Sequence, residues 1–389
     1  MVFFPIGRMI HGRSFLNGAA GMATGSLLSA CAHRASRDLW DSHSRDLDAR
    51  IPDLMHATNV PAVSLAAFKS SRIVWQRGFG VMDRQSGLPI SAGTLFEAAS
   101  MSKPVFAYMV LKLCEEGILD IDTPLTRYTR TRFIENDPQL DLITSRHILS
   151  HTSGIVPNWR SSAQHLSIAS APGEKWSYSG EGYFYLQSVI TELTGRIDSN
   201  RCDNYELGLR VCATDFGEYM ESRLLTPLGM RSSAYVWRDR FRKSRARPHD
   251  VNGNPLPFRP GRPVDVARYG AAGGLMTSVG DYAKFLMAIV DPPPPDRVHL
   301  KTSSLKQMTT PQIEVTKADG YTVSWGLGWR IVTTPGRVYF GHGGENPGFQ
   351  CTSECCVADR SGFVIMTNGD NGAKLLEQLG PEISARLHS

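Results

Sequence analysis

The feature that most restricts the fold of this 389-residue chain is a double change of hydrophobic period. The runs from Ala62 to Phe68 and from Arg72 to Met82 read as strands, and Lys69, Ser70 and Ser71 supply their hairpin turn. From Val105 the apolar residues recur with helical spacing up to Gly117, and helical patterns follow from Tyr183 to Leu193, Phe216 to Leu225 and Asp281 to Ile289. A run of prolines, Pro292 to Pro295, breaks the last of these. After about Tyr321 strand-like runs return, from Gly326 to Val332, Arg337 to Gly341, Phe349 to Val357 and Gly362 to Met366, before an amphipathic helix from Ala373 to Leu387. Early strands, a helical middle and late strands predict an α+β fold, with one antiparallel sheet built from both chain ends, flanked by helices and interrupted by an all-helical insertion. The expected division of a single domain, 32–389, is an α/β part at about 36–102 and 320–389 and a helical part at about 103–319.

Composition narrows the partners. With 41% hydrophobic and 20% charged residues the chain is globular in type. A net charge of +5 is too slight and dispersed to imply a nucleic-acid partner. The densest basic stretch, Arg238, Arg240, Arg242, Lys243, Arg245 and Arg247, reads as a solvated loop.

The N-terminus has the pattern of an export signal over 1–31: Arg8 and Arg13 precede a small, apolar run from Gly18 to Ala30 that is too short to span a bilayer. Leu28, Ser29, Ala30 and Cys31 resemble a bacterial lipoprotein cleavage box, which implies lipidation of Cys31 and a membrane tether; the alternative is a fortuitous cysteine. The stretch from Gly12 to Leu16 is similar to a twin-arginine signal, with Gly12 in place of the first arginine. An exported protein, periplasmic or membrane-anchored, is the expectation. Of the other six cysteines, Cys202 and Cys212 bracket a polar stretch and are either a short clip or two free thiols. Cys351, Cys355 and Cys356 lack CxxC spacing and read as partly buried thiols rather than metal ligands.

Three stretches carry chemistry. In Ser100, Met101, Ser102, Lys103 a serine and a lysine stand three apart at a helix start, which puts a nucleophile and its base on one face. To accept a proton the lysine must have its pKa lowered by burial or a neighbouring cation. Such a pair arises easily by chance, and Ser303 to Lys306 repeats it, but that copy sits in a polar segment with no sequel. The second stretch, Pro172 to Ser179, delivers Tyr178 just ahead of a helix, where its hydroxyl can shuttle a proton; alone it would read as a core tyrosine. The third, Gly341, His342, Gly343, Gly344, Glu345, Asn346, Pro347, Gly348, Phe349, reads as a glycine-rich edge between two strands, able to approach a ligand closely and to offer an N–H to an oxyanion.

In this order these motifs resemble the serine β-lactamase and penicillin-binding-protein superfamily, closest to class C β-lactamases and the related esterases and D-amino-acid peptidases. The likeness extends over nearly all of the mature chain and includes Arg146 to Gly154, His249, Asp250 and Gly253, Ala271 to Leu275, and Pro227 to Met230. It implies that Ser100 is the nucleophile, Lys103 its base or relay, and Tyr178 the group that protonates the leaving atom. Backbone N–H groups of Ser100 and Glu345 would form the oxyanion hole. His342, with Gly343 and Gly344, stands where lactamases carry a lysine for the substrate carboxylate. Gly180 replaces the asparagine that usually ends the tyrosine motif and holds the substrate amide, which disfavours efficient β-lactam hydrolysis. The segment from Arg196 to Ala213 is longer than the family's usual connection.

Other chemistries lack a foothold. His147 and His151 have zinc-compatible spacing on what reads as one helix face, but no HExxH pattern and no third ligand accompany them, so both are expected to be structural. The chain has no G-x-S-x-G elbow and no phosphate-binding glycine loop after the early strands. The expectation is therefore a serine hydrolase, needing no cofactor or metal, that acts on a small ester, peptide or β-lactam-like substrate through an acyl-enzyme. The alternatives are a non-catalytic sensor of cell-wall fragments or β-lactams and an acyltransferase.

Overall fold

The computed structural model describes residues 44–129, 134, 136–156, 167–194, 205–206, 209–210, 213–257 and 270–388. The export-signal stretch, Cys31, Cys202, Cys212 and most of 196–213 lie outside the described residues.

The sheet has eight strands, all antiparallel, in the order β2-β1-β8-β7-β6-β5-β4-β3. Strands β1 (Ala62–Lys69) and β2 (Arg72–Gly80) come from the N-terminal end. The others, β3 (Ile313–Ala318), β4 (Tyr321–Trp325), β5 (Arg330–Thr334), β6 (Arg337–Asn346), β7 (Phe349–Cys356) and β8 (Ser361–Thr367), come from the C-terminal end. β1 and β8 join the two ends, with Val63 opposite Thr367. Ser70 and Ser71, at φ 49° and 56°, make the β1–β2 turn, a backbone that matches the right-handed twist of the strands it joins.

Period-2 alternation explains why both faces of β1 are buried. Val63, Leu65 and Ala67 point to one side with Phe363 and Ile365, where they meet Leu47, Ile51 and Leu54 of α1 (44–58) and Leu375, Leu376, Leu379 and Ile383 of α8 (Gly372–Leu387). Full burial of each such aliphatic side chain contributes roughly 1.5–3 kcal/mol. Ala62, Ala66 and Phe68 point the other way with Val364 and Met366, into the core shared with the helical middle.

That middle comprises α2 (Ser102–Glu115), α3 (Ser145–Leu149), α4 (Gly180–Leu193), α5 (Ala213–Met220), α6 (Val279–Val290) and α7 (Thr302–Met308). α2 is buried on every side from Ser102 to Leu113, as a helix apolar all round must be. α6, within the stretch expected as the helical part, packs directly on β1, β2 and β8.

Three local departures from the sequence reading have physical causes. The glycine motif does not lie between strands but within one: Gly341 to Asn346 continue β6 and pair residue for residue with β7, the turn falling at Pro347 and Gly348. Glycines weaken a strand's signal without preventing its pairing. β3 is a largely exposed edge strand with polar outward residues, so it shows no buried pattern. Gly326 to Trp329 form a turn between β4 and β5 rather than part of a strand.

Five of the six residues in the basic stretch expected as a solvated loop are ion-paired: Arg238 and Arg240 with Glu221, Arg245 with Glu97, Arg247 with Asp83, and Arg242 with Asp239 at 3.6 Å. Cys351, Cys355 and Cys356 are free and buried. Among the described residues no helix is long and apolar enough to cross a membrane.

Candidate active site

β5 accompanies β6 only as far as Gly341, opposite Arg330, so beyond that point the β6 edge on this side has no strand partner. The turn Ala99–Met101 that precedes α2 lies against it. At Gly344 a Cβ would meet the Ala98 carbonyl at 2.3 Å and Cys351 Sγ at 2.5 Å, so only glycine lets the strand approach the turn this closely. Ala99, just before the serine, has φ 46°, a strained conformation for a residue with a Cβ. Several bonds hold the turn in place. The Tyr282 hydroxyl donates to the Met101 carbonyl, the Tyr235 hydroxyl to that of Ser102, and Cys351 Sγ to that of Ala98.

Ser100 and Lys103 meet as the spacing requires. Lys103 Nζ donates to Ser100 Oγ at 3.1 Å and to the carbonyl of Ala272 at 2.6 Å. It also lies 4.8 Å from the centre of the Tyr178 ring and 5.5 Å from that of Tyr183. Lys103 is 2% exposed. Burial lowers its pKa to about 7, against the pull of the Glu181 carboxylate, which favours the ammonium. Glu181 itself is buried in the first turn of α4, where the helix dipole favours an acid, and it accepts from Ser179 Oγ at 3.4 Å.

Tyr178 arrives on the residue before Ser179, whose hydroxyl caps α4 by accepting from the Gly182 N–H. Burial pushes its phenol well above the usual range, opposed by the Ser100 hydroxyl beside it. At neutral pH the lysine, not the phenol, is thus the group able to lose a proton and act as a base.

His342 is 1% exposed. Its Nδ1 faces the Gly343 carbonyl, and its ring packs edge-on against Trp325 and near Tyr178. Burial and the Lys103 charge lower its pKa to about 3. The imidazole is therefore neutral and offers a substrate carboxylate no charge. Gly343 is half-buried on the unpaired edge, and the Glu345 side chain is exposed. Asn346 Nδ2 donates to Glu97 at 2.7 Å, and Glu97 is ion-paired with the buried Arg245. This chain of contacts ties the end of β6 to the strand that leads into Ser100.

Gly180 has room for a Cβ, whose nearest neighbour would be Ala272 Cβ at 3.8 Å.

The two histidines weighed for zinc do not share a helix face, because α3 ends at Leu149 and His151 lies beyond it at φ 57°. His147 closes a capping box with Thr144, and His151 packs on Tyr178. Among the described residues Cys356, Asp359 and His388 lie close enough to share an ion, but Asp359 already pairs with Arg337 and with His388. Sequence reasoning assigns no site role to Glu181 or Glu97, nor to Ala272 and Asn346 although both lie within motifs it singles out; for Glu181 the available signal is an acid directly after the tyrosine motif.

A serine and a partly deprotonated lysine, a phenol beside them and an unpaired strand edge, all set between an antiparallel sheet and a helical region, define a protein of the β-lactamase/transpeptidase-like class. The Beta-lactamase family profile matches residues 47–385, and the chain belongs to that family of serine hydrolases, which includes β-lactamases, esterases and carboxypeptidases. Esterase EstB of Burkholderia gladioli is 38% identical over 99 residues, 25% of this chain and 24% of its own. Two solved structures share the fold across nearly the whole chain. The octameric penicillin-binding protein homologue from Pyrococcus abyssi has a TM-score of 0.71 at 22% identity, covering 88% of this chain and 77% of its own. A class C β-lactamase has a TM-score of 0.67 at 17% identity, covering 90% and 96%.

Proposed function

We propose that this chain hydrolyses esters of small carboxylic acids through an acyl-enzyme on Ser100. The observation that carries the reading is the 3.1 Å contact between Ser100 Oγ and a lysine whose pKa burial has brought to about 7. Neutral Lys103 takes the proton of Ser100 as Oγ bonds to the substrate carbonyl carbon. The oxyanion that forms is held by the N–H groups of Ser100 and Glu345. When the tetrahedral adduct collapses, Tyr178 passes a proton to the departing alkoxide and the Lys103 ammonium makes good the loss. Water then attacks the acyl carbonyl with the same groups running in reverse, releasing acid and restoring the serine.

Three features favour an ester over an amide or β-lactam. Gly180 offers no side chain to an amide, His342 is neutral and buried where a cation would meet a carboxylate, and Esterase EstB supports the same direction by its name.

The test is a panel of chromogenic esters, D-amino-acid amides and a chromogenic cephalosporin, with intact-mass detection of the adduct. Short-chain esters should give a burst and a mass increase on Ser100, and Ser100→Ala should abolish both. Acylation undiminished in Ser100→Ala would refute the assignment. Turnover that appears only with an added alcohol or amine would make the chain an acyltransferase, and binding without turnover would make it a sensor.

We also propose that the protein is exported through its N-terminal 31 residues and tethered through Cys31. Palmitate labelling of wild type and Cys31→Ala checks it, and equal labelling of the two would sink the tether.

A further inference from the structure

We infer that His151 is a positioning residue for Tyr178, gripping its backbone on both sides and its ring from one face. This rests on the acyl-enzyme reading and extends it to a residue that takes no part in the chemistry above.

Three contacts converge. The Ser177 N–H donates to the His151 carbonyl at 2.7 Å, and the Ser179 N–H donates to His151 Nδ1 at 3.1 Å. The residues immediately before and after Tyr178 are thus bonded to one partner. The imidazole also lies against the phenol ring, with centroids 4.1 Å apart and planes tilted by 34°. Behind it Trp325 and Tyr183 close the remaining sides at 5.1 Å and 5.3 Å. The ring that carries the proton-transfer hydroxyl therefore has little freedom to rotate or retreat from Ser100.

The arrangement is costly in ways that mere filling of space does not require. His151 holds φ at 57°, where a residue other than glycine is strained. It is 1% exposed, and because Nδ1 accepts, its proton sits on Nε2, which is buried with no hydrogen-bond partner among the described residues. Leucine or phenylalanine would fill the volume without a stranded polar atom. What neither supplies is an acceptor for the Ser179 N–H next to a flat face for Tyr178.

The experiment compares acylation by p-nitrophenyl acetate in wild type, His151→Asn, His151→Phe, Tyr178→Phe and the two double variants, each below its own melting temperature. Asparagine suits positive φ and can keep an acceptor for Ser179 but lacks the ring; phenylalanine keeps the ring but lacks the acceptor. Each single His151 variant should lose roughly 10- to 100-fold in acylation rate, the scale of misplacing a catalytic group by about an ångström, with KM little changed. In the Tyr178→Phe background the same changes should cost nothing further, because the hydroxyl they position is gone. Wild-type rates in both single variants, or equal losses with and without the Tyr178 hydroxyl, would overturn the inference. A second readout needs no turnover: the ring resonances of isotope-labelled Tyr178 should shift or broaden in both variants, and unchanged resonances would overturn the inference too. Failure of wild type to acylate at Ser100 would instead strike the acyl-enzyme reading, leaving the resonances to decide the role of His151.

Discussion

The carbonyl of Ala272 lies 2.6 Å from the Lys103 nitrogen, nearer than Ser100 Oγ at 3.1 Å. A neutral amine has two N–H bonds and one lone pair. A carbonyl that takes one N–H fixes where the lone pair can point, so Ala272 aims the lysine at the serine as well as anchoring it.

The ester hydrolysis rate should rise with pH through about 7, because only the neutral amine can take the serine's proton. A pH–rate profile of kcat/KM with a chromogenic ester checks this. A profile flat from pH 5 to 9 would mean that a different group is the base.

Removing the ammonium should stabilise the protein while inactivating it. The Lys103 pKa is about 7 in the fold against 10.5 in the unfolded chain, so between these values the unfolded state binds the extra proton and stability rises with pH. Lys103→Met should therefore melt higher than wild type at pH 7, with the gap closing toward pH 10. Its rate should fall at least roughly a hundredfold. Calorimetry at the two pH values together with a rate assay tests both halves.

Gly180→Asn should be tolerated and should shift activity toward amides. The added Cβ meets only Ala272 Cβ, at 3.8 Å, an ordinary van der Waals contact that leaves the helix start undisturbed. The measurement is the ratio of kcat/KM for a D-amino-acid amide to that for the matching ester. A ratio that does not rise would show that the side chain at this position does not govern the preference.

The protein should lose stability as pH falls below about 6.5, in part through His342, whose pKa drops from 6.5 to about 3 on folding. Over that interval the unfolded chain takes up the proton and the fold does not. His342→Asn should flatten the acid limb of a melting-temperature profile between pH 6 and 4, and an unchanged slope would place the acid sensitivity elsewhere.

Glu97→Ala should cost stability and rate together. It removes the Glu97 carboxylate from the buried Arg245, a loss that can reach roughly 3 kcal/mol and is smaller here because Glu97 is one-fifth exposed. It also frees Asn346, whose side chain fastens the β6 end to the approach to Ser100. Thermal melting and kcat should both fall, and loss of stability alone would limit Glu97 to a structural role.

The sequence revealed the contact between Ser100 and Lys103 because local spacing on a helix start brings the two side chains together, whatever the rest of the fold does. Sheet class and chain-end pairing were equally readable, since the nearly unbroken apolar runs Ala62–Phe68 and Gly362–Met366 need two covered faces. Ala272 and Glu97 were hidden for the opposite reason. Their roles come from a carbonyl and a carboxylate brought in from distant segments, and no local pattern marks a backbone oxygen as a ligand for lysine. His342 was found by its motif, but its neutral state depends on burial by Trp325 and Tyr178, which spacing cannot report.

Pairing Val63 with Thr367 also sets the order in which the molecule can be made. The seam between β1 and β8 joins one of the first strands to the last, so closing it requires a contact across nearly the entire polypeptide, which is slow to form. Until the final strand has left the ribosome, β1 and β2 have no link to β6, the strand that flanks the Ser100 turn. A chain cut short before β8 therefore holds Ser100 and Lys103 while the seam between the two ends of the polypeptide is still open.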